Sequence, residues 1–259
     1  PLLYNGGDVS DCLSFSKGGI YMTLREFFQN NPKAALAFSG GVDSAYLLYA
    51  ALSCGAQVRA YYVKSAFQPQ FELDDAVQLA AELGADMRVL DVDILRDPQI
   101  TANPADRCYY CKRSIFKSII KASAEDGFAI LMDGTNASDD VGDRPGMRAL
   151  RELAVRSPLR ECGLTKAEVR QLSKDAGLFT WDKPAYACLA TRIPTGEEIT
   201  KEKLWRTEQA EDYLFSTGFT DFRVRMAGNT ARIQMPEYQF PLLLSRRQNI
   251  LNEFKKYYS

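Results

Sequence analysis

An α/β fold, a doubly wound parallel sheet with a small C-terminal α+β appendage, is what the sequence predicts, and three observations predict it. Apolar runs of strand length alternate with helix-length segments between residues 34 and 176. A glycine pair, Gly40-Gly41, lies where the first such run gives way to the first helix. Beyond Gly196 the order changes to a helix, two strands around Gly228-Asn229, and a last helix. The expected organisation is an N-terminal extension over 1–21, a main domain over 22–195 and a small domain over 196–259.

The elements follow in order. Residues 1–21 carry Gly6, Gly7, Gly18 and Gly19 without clean periodicity, and Met22 is a more natural start than Pro1. Thr23 and Glu26 form a capping box for a short helix. A buried strand over 34–38 is followed by a helix that runs until Gly55. Then come a strand over 58–63, a helix over 71–83 stopped by Gly84, a strand over 87–92, a helix over 109–124 and a strand over 128–132. This alternation predicts helices on both faces of the sheet, right-handed crossovers and a ligand at the carboxyl ends of the strands. Residues 155–159 suggest one more strand, and Thr165 with Glu168 opens a helix over 166–176. The appendage reads as helix 201–215, strands 222–226 and 231–235, and helix 241–257.

Composition removes whole classes of function. The chain has 32 basic and 33 acidic residues, a net charge of −1, so nothing electrostatic calls for nucleic acid or a membrane. It has no histidine, which excludes Ser-His-Asp triads, Cys-His pairs and histidine-ligated zinc or iron. Six cysteines in 259 residues are too sparse for a disulfide scaffold. With no run of transmembrane length and no signal-peptide pattern, a soluble cytoplasmic protein is expected.

Phe38-Ser39-Gly40-Gly41-Val42-Asp43-Ser44 sits on the first strand-to-helix turn. The uncapped N–H groups and the dipole of such a helix suit phosphate. Ser39 and Ser44 add hydroxyl donors, and Asp43 suits a Mg²⁺ that faces the phosphates. The bland alternative is that Gly40 and Gly41 only make a tight turn. The loop lacks the Lys-Ser/Thr ending of a kinase or GTPase loop. Ser-Gly-Gly-x-Asp-Ser resembles the signature of the PP-loop ATP pyrophosphatases, which cleave ATP to AMP and pyrophosphate and adenylylate a substrate. A nucleotide base is expected along the second strand near Val63 and Lys64. The run 133–140, with Gly134, Thr135 and Asn136, opens where a strand ends and is a further nucleotide-binding candidate, although Asx-rich turns are common. Arg223, Arg225 and Arg232 alternate with apolar residues, either as a solvent face or as an anion site. Trp181 is a candidate to stack on a substrate ring, with core packing as the alternative.

Cys108-Tyr109-Tyr110-Cys111 opens a helix, and Cys188 follows far along the chain. Zinc would need a fourth ligand that histidine cannot supply, which leaves Cys12, Cys54 or Cys162 in principle, and a redox Cys-x-x-Cys would leave Cys188 unused. Three thiolates on a [4Fe–4S] cluster leave one iron open to an exogenous sulfide.

Together the phosphate loop, residues 107–112, residues 133–140, Asp143-Arg144-Pro145-Gly146-Met147-Arg148 and residues 184–192 resemble the LarE family of ATP-dependent sulfur transferases. The resemblance begins near Met22 and implies sulfur insertion during biosynthesis of the nickel-pincer nucleotide cofactor of lactate racemase. The implied substrate is a pyridinium dicarboxylate mononucleotide, with ATP, Mg²⁺ and a [4Fe–4S] cluster on Cys108, Cys111 and Cys188, a sulfide donor, and a homo-oligomer. Some members carry only the cysteine matching Cys188 and give up its sulfur; this chain carries all three. In that scheme Arg192 orients a carboxylate or phosphate, Arg223 and Arg225 take the substrate phosphate, and Trp181 stacks on the pyridinium. The alternatives are a transfer RNA thiolation enzyme, an amide ligase of the NAD-synthetase kind, and a non-catalytic metal-stabilised nucleotide-binding module.

Overall fold

The computed structural model describes residues 22–139 and 145–258, so the expectations on residues 1–21, Asp140, Asp143 and Arg144 lie outside the described residues. It divides into two compact units, one made of residues up to 64, 70–92 and 108–185, the other of 65–69, 93–107 and 186 onward. The second unit starts ahead of the expected boundary at 196 and takes two segments from the N-terminal half.

In the first unit, Thr23 and Glu26 cap α1 (Leu24–Asn30) as the sequence dictates. The chain continues through β1 (Lys33–Ala37), α2 (Val42–Ser53), β2 (Gln57–Lys64), α3 (Gln70–Glu82) and β3 (Asp86–Asp91). Two further short elements, the turn Ile94–Arg96 and α4 (Pro98–Thr101), belong to the second unit and were not anticipated; Asp97 caps α4 through Gln99 N. Helix α5 (Arg107–Glu125) and β4 (Leu131–Met132) follow. The strands pair in the order β3-β2-β1-β4, all parallel. Side chains alternate between two cores, as the two-residue period of a strand requires. Leu36, Val58, Ala60, Tyr62 and Met132 pack with α1, α2 and α3 on one face. Ala35, Tyr61, Val63 and Leu131 pack with Phe116, Ile119 and Ala122 of α5 on the other. The sheet is thus buried on both faces, which is why its strands read as near-continuous apolar runs.

The edge beyond β4 differs from expectation. Residues 155–159 make a single parallel bridge, Met132 to Arg156, rather than a strand. Pro158 has no N–H to extend a ladder, and it begins the short helix α7 (Pro158–Glu161). Helix α6 (Pro145–Glu152) stands where no element was expected. Helix α8 (Lys166–Asp175) carries the predicted capping box of Thr165 and Glu168.

The second unit holds α9 (Lys201–Ser216), the hairpin β5 (Arg223–Ala227) and β6 (Thr230–Gln234), and α10 (Phe240–Phe254). Val224 and Met226 point inward, so Arg223 and Arg225 face outward, with Arg225 directly opposite Arg232. Among the described residues no helix is long and apolar enough to cross a membrane.

Three groups meet on Asp126 at the end of α5: Tyr61 Oη at 2.7 Å, Arg88 at 2.9 Å and Arg59 at 3.0 Å. The hydrogen bond from Tyr61, then those from Arg88 and Arg59, hold its carboxyl at about 2, below the usual carboxylate range. A folded-state value below the unfolded one stabilises the fold at higher pH, and that contribution disappears as pH falls through the folded value. The difference in urea midpoint between the parent and Asp126→Asn is therefore expected to be full at about pH 6 and to shrink steadily from about pH 4 to about pH 2. A difference that stays constant across that interval rules out the carboxylate as its source.

Candidate active site

The turn between β1 and α2 begins with backbone geometry. Gly40 has φ +71°, a left-handed conformation that other residues adopt at a cost, and a Cβ there would come 3.0 Å from Ala76 Cβ. Gly41 is the N-cap of α2 and offers no side chain, so the N–H groups of Val42, Asp43 and Ser44 are left without a side-chain cap. Ser44 Oγ donates to Gly41 O at 3.1 Å and lies 3.1 Å from Ser39 Oγ, while Gly41 N donates to Ser39 Oγ at 3.3 Å. The sequence-predicted Ser39, Gly40, Gly41, Asp43 and Ser44 are thereby gathered at the carboxyl end of β1. Val63 and Lys64 end the neighbouring strand, Val63 buried toward α5 and Lys64 half-buried.

The loop after β4 closes onto this turn. At Gly134 a Cβ would lie 2.8 Å from Ser44 N and 3.2 Å from Asp43 Cβ, so only glycine permits the approach. Asp133 is buried and accepts from Thr135 Oγ1 at 2.6 Å and Ser157 Oγ at 2.7 Å, so the Thr135 hydroxyl donates within the loop. Asn136 alone of the predicted trio reaches Asp43, its Nδ2 donating to Oδ1 at 3.2 Å.

The other Asp43 oxygen, Oδ2, takes Lys166 Nζ at 2.5 Å. Asp43 was expected to serve Mg²⁺; in this structure its two oxygens go to Asn136 and Lys166. Lys166 was not among the predicted site residues, yet it left a signal in the sequence. It is the first residue of α8, directly after the Thr165 cap, where a cation opposes the helix dipole by about 0.3–1 kcal/mol. Its half-exposed pair with Asp43 returns no more than about 1 kcal/mol. The two terms are of similar size, so the pair contributes little net stability.

The cysteines separate by burial. Cys162 lies in the core of the first unit, where burial pushes its thiol up to about 12, and burial also raises Cys54. Neither is a ready thiolate. Cys108, exposed, and Cys111, half-buried, are three residues apart on the first turns of α5 and share one of its faces. Beside them Tyr109 Oη donates to Glu152 at 2.7 Å and carries the Arg148 guanidinium 4.0 Å above its ring. Cys188 belongs to the second unit, half-buried, as the N-cap of the turn Leu189–Arg192. Among the described residues no three Cys, Asp or Glu side chains gather as a metal-holding set.

Arg192 corrects the sequence reading. Its side chain is fully buried and paired with Glu211, Nε to Oε1 at 2.8 Å and Nη2 to Oε2 at 3.1 Å, and Nη1 donates to Ala187 O and Thr191 Oγ1. Every nitrogen is committed within the protein, so the guanidinium is not presented to a carboxylate or phosphate. Burial works against its charge, but the hydrogen bonds and charge of Glu211 outweigh it, and the pKa lies above the ordinary value. Glu211 also accepts from Tyr186 Oη and from Val224 N. Of the predicted arginines, Arg223 lies over the Tyr186 ring and donates to Phe222 O, whereas Arg225 donates to Thr191 O at 2.8 Å. Arg225 lines a pocket of about 280 Å³ with Thr191, Pro194, Thr195, Met226 and Arg232. Trp181 is neither in the core nor open on both faces: it is exposed, and the Lys174 ammonium sits 4.7 Å over its ring, where a pyridinium cation was expected to stack.

Removing one partner of the Arg192–Glu211 pair strands a buried charge, so Glu211→Ala is expected to lower unfolding free energy by about 3–5 kcal/mol. Replacing both partners by methionine is expected to cost less than either single change, and a denaturant series on the three variants checks the order.

A family model described as Queuosine biosynthesis protein QueC matches residues 33–107. An uncharacterized protein of Synechocystis is 40% identical over 218 residues, which span 83% of this chain and 81% of that protein. Pyridinium-3,5-bisthiocarboxylic acid mononucleotide synthase of Lactiplantibacillus plantarum is 35% identical over 217 residues, 83% of this chain and 79% of the relative. The tRNA-specific 2-thiouridylase MnmA of Thermotoga neapolitana is more distant, 26% identical over 58% of this chain and 54% of its own. With the phosphate loop, the Asn136 loop and the cysteines in place, identity of this extent means that the chain belongs to the LarE family, that of pyridinium-3,5-bisthiocarboxylic acid mononucleotide synthase.

Proposed function

We propose that the protein is an ATP-dependent sulfur insertase that adenylylates a carboxylate of a pyridinium dicarboxylate mononucleotide and converts it to a thiocarboxylate, in nickel-pincer nucleotide biosynthesis. The observation that carries the adenylylating half is the Asp43–Lys166–Asn136 cluster at the uncapped start of α2. The substrate class comes from the family relative, whose name states its product.

The chemistry suits a chain without histidine. A carboxylate is already ionised at neutral pH and needs no base to attack the α-phosphorus. Its oxygen forms the new P–O bond while the bond to pyrophosphate breaks. Backbone N–H groups of Val42, Asp43 and Ser44, the two serine hydroxyls and the Lys166 ammonium are the donors that take the developing charge. A Mg²⁺ brought with ATP fits Asp43 once Lys166 turns to the phosphates. A sulfide then adds to the acyl carbon, and the C–O bond to AMP breaks. By thiol chemistry and by the family resemblance, Cys108, Cys111 and Cys188 are the residues that would hold a cluster, and such a group would supply a renewable sulfide from an outside donor. Arg225 and Arg232, with Arg223 outside the pocket lining, are the candidates for the substrate phosphate. The protein is proposed to work in the cytoplasm as a homo-oligomer.

Anaerobic protein supplied with ATP, sulfide and the pyridinium dicarboxylate mononucleotide is expected to form one AMP per oxygen replaced by sulfur, read by mass spectrometry. Lys166→Met and Asp43→Ala are each expected to lower AMP formation about a hundredfold. AMP with ammonia incorporated instead of sulfur would mark a ligase, ATP binding without AMP a binding module, and sulfur in transfer RNA a thiolation enzyme. About four irons and four sulfides per chain, lost in Cys188→Ala, are expected of a three-thiolate cluster. A single turnover that converts Cys188 to dehydroalanine would mark a consumed sulfur instead.

A further inference from the structure

The turn that carries Cys188 is held by its backbone from several sides within the second unit. Leu189 N donates to Phe67 O at 3.0 Å, and Thr191 donates to Cys188 O through both its N–H and its hydroxyl, each at 2.9 Å. Phe67 is itself fixed by a turn in which Ser65 Oγ donates to Gln68 Oε1 at 2.6 Å and accepts from Phe67 N at 3.2 Å. The most specific of these ties comes from Arg107. This arginine is buried, and its Nη1 donates to Ala190 O at 2.9 Å and to Asn103 Oδ1 at 2.8 Å. Asn103, buried at φ +52°, passes the connection on: its Nδ2 donates to Pro194 O at 2.8 Å, and its own carbonyl accepts from Gly196 N at 2.8 Å. Asparagine is among the few residues that tolerate that backbone conformation.

A buried arginine is costly to place unless its donors are met, and here one nitrogen meets both Ala190 O and Asn103 Oδ1. Its charge is directed at a carbonyl two residues beyond Cys188 and at the amide that holds the rest of the turn. Arg107 is also the residue that precedes Cys108 in the chain. We propose that Arg107 is a positioning residue for sulfur transfer: with Asn103 it fixes the backbone that presents Cys188, from the residue at which the helix of Cys108 and Cys111 begins. The inference rests on the sulfur-insertion reading for its function, but the tie itself can be tested without it.

The test uses the full chain as parent, Arg107→Met and Arg107→Lys, followed by amide hydrogen exchange and by product analysis. In Arg107→Met the amides of residues 189–193 are expected to exchange about tenfold faster, as loss of one charge-assisted hydrogen bond implies, while a peptide over 204–214 of α9 keeps the parent's protection. Thiocarboxylate formation is expected to fall at least about tenfold with AMP formation unchanged. Arg107→Lys, which keeps a cationic donor, is expected to return most of both. Unchanged exchange at 189–193, or a parallel rise over 204–214, overturns the proposal, the second by showing a merely structural role. Faster exchange with undiminished thiocarboxylate formation overturns the functional part. A parent that makes no thiocarboxylate at all defeats the sulfur-insertion reading instead, and hydrogen exchange still decides the tie.

Discussion

The contact on which the first unit's site depends is the ion pair between Asp43, in the first turn of α2, and Lys166, the first residue of α8. It joins the start of α2, which follows β1, to the start of α8, which follows α7, and Asn136 completes it from the loop after β4. Both helices bring the positive end of their dipole to one small region, and the lysine adds a full charge there. Two like fields held together by a single carboxylate make poor structural economy. Under the proposed function the same arrangement would receive the phosphates of ATP, with Lys166 as a full positive charge beside the two helix starts.

A second constraint shapes the other unit. Arg192, Glu211 and Tyr186 form a buried polar group whose members satisfy one another and the backbone at Ala187 and Val224. Such a group is strongly destabilising when broken and contributes little net stability when whole. Its effect is specificity of place: the carbonyl before Cys188 and the first strand of the hairpin are set against one carboxylate. Arg107 does the same from the other side of the cysteine, at Ala190. Under the proposed function Cys188 gains from a backbone that cannot drift, because small misplacements at a reacting atom are costly in rate.

Burial also sorts the cysteines by purpose. Cys162 has its thiol raised to about 12 by an apolar core, and Cys54 is likewise raised, so both behave as small hydrophobic side chains. Cys108, Cys111 and Cys188 keep some exposure, the first two near the start of α5 and the third as the cap of the turn Leu189–Arg192. The motif spacing picked out the same three, for a chemical rather than a geometric reason.

Much of the fold was legible because it is written in local rules. The period of the apolar runs marked the four parallel strands, and Thr23 with Glu26 and Thr165 with Glu168 marked helix starts through bonds three residues apart. Gly40 and Gly41 located the phosphate turn, since a left-handed backbone and an uncapped helix need them there. The strand expected over 155–159 failed because Pro158 starts a helix. By itself, then, the sequence determined the fold class, the glycine turn between β1 and α2 and the capped helix starts, all of which depend on residues close in the chain. Only the tertiary structure decided that Lys166 meets Asp43, that Arg192 is spent on Glu211, that Lys174 covers Trp181, and that Arg107 grips the turn of Cys188. Three of these four are pairings of charges with partners distant along the chain, and Lys174 reaches Trp181 only through the turn that follows α8. No periodicity or propensity encodes such pairings, because a charged side chain reads alike in the sequence whether it faces water, a partner or a ligand.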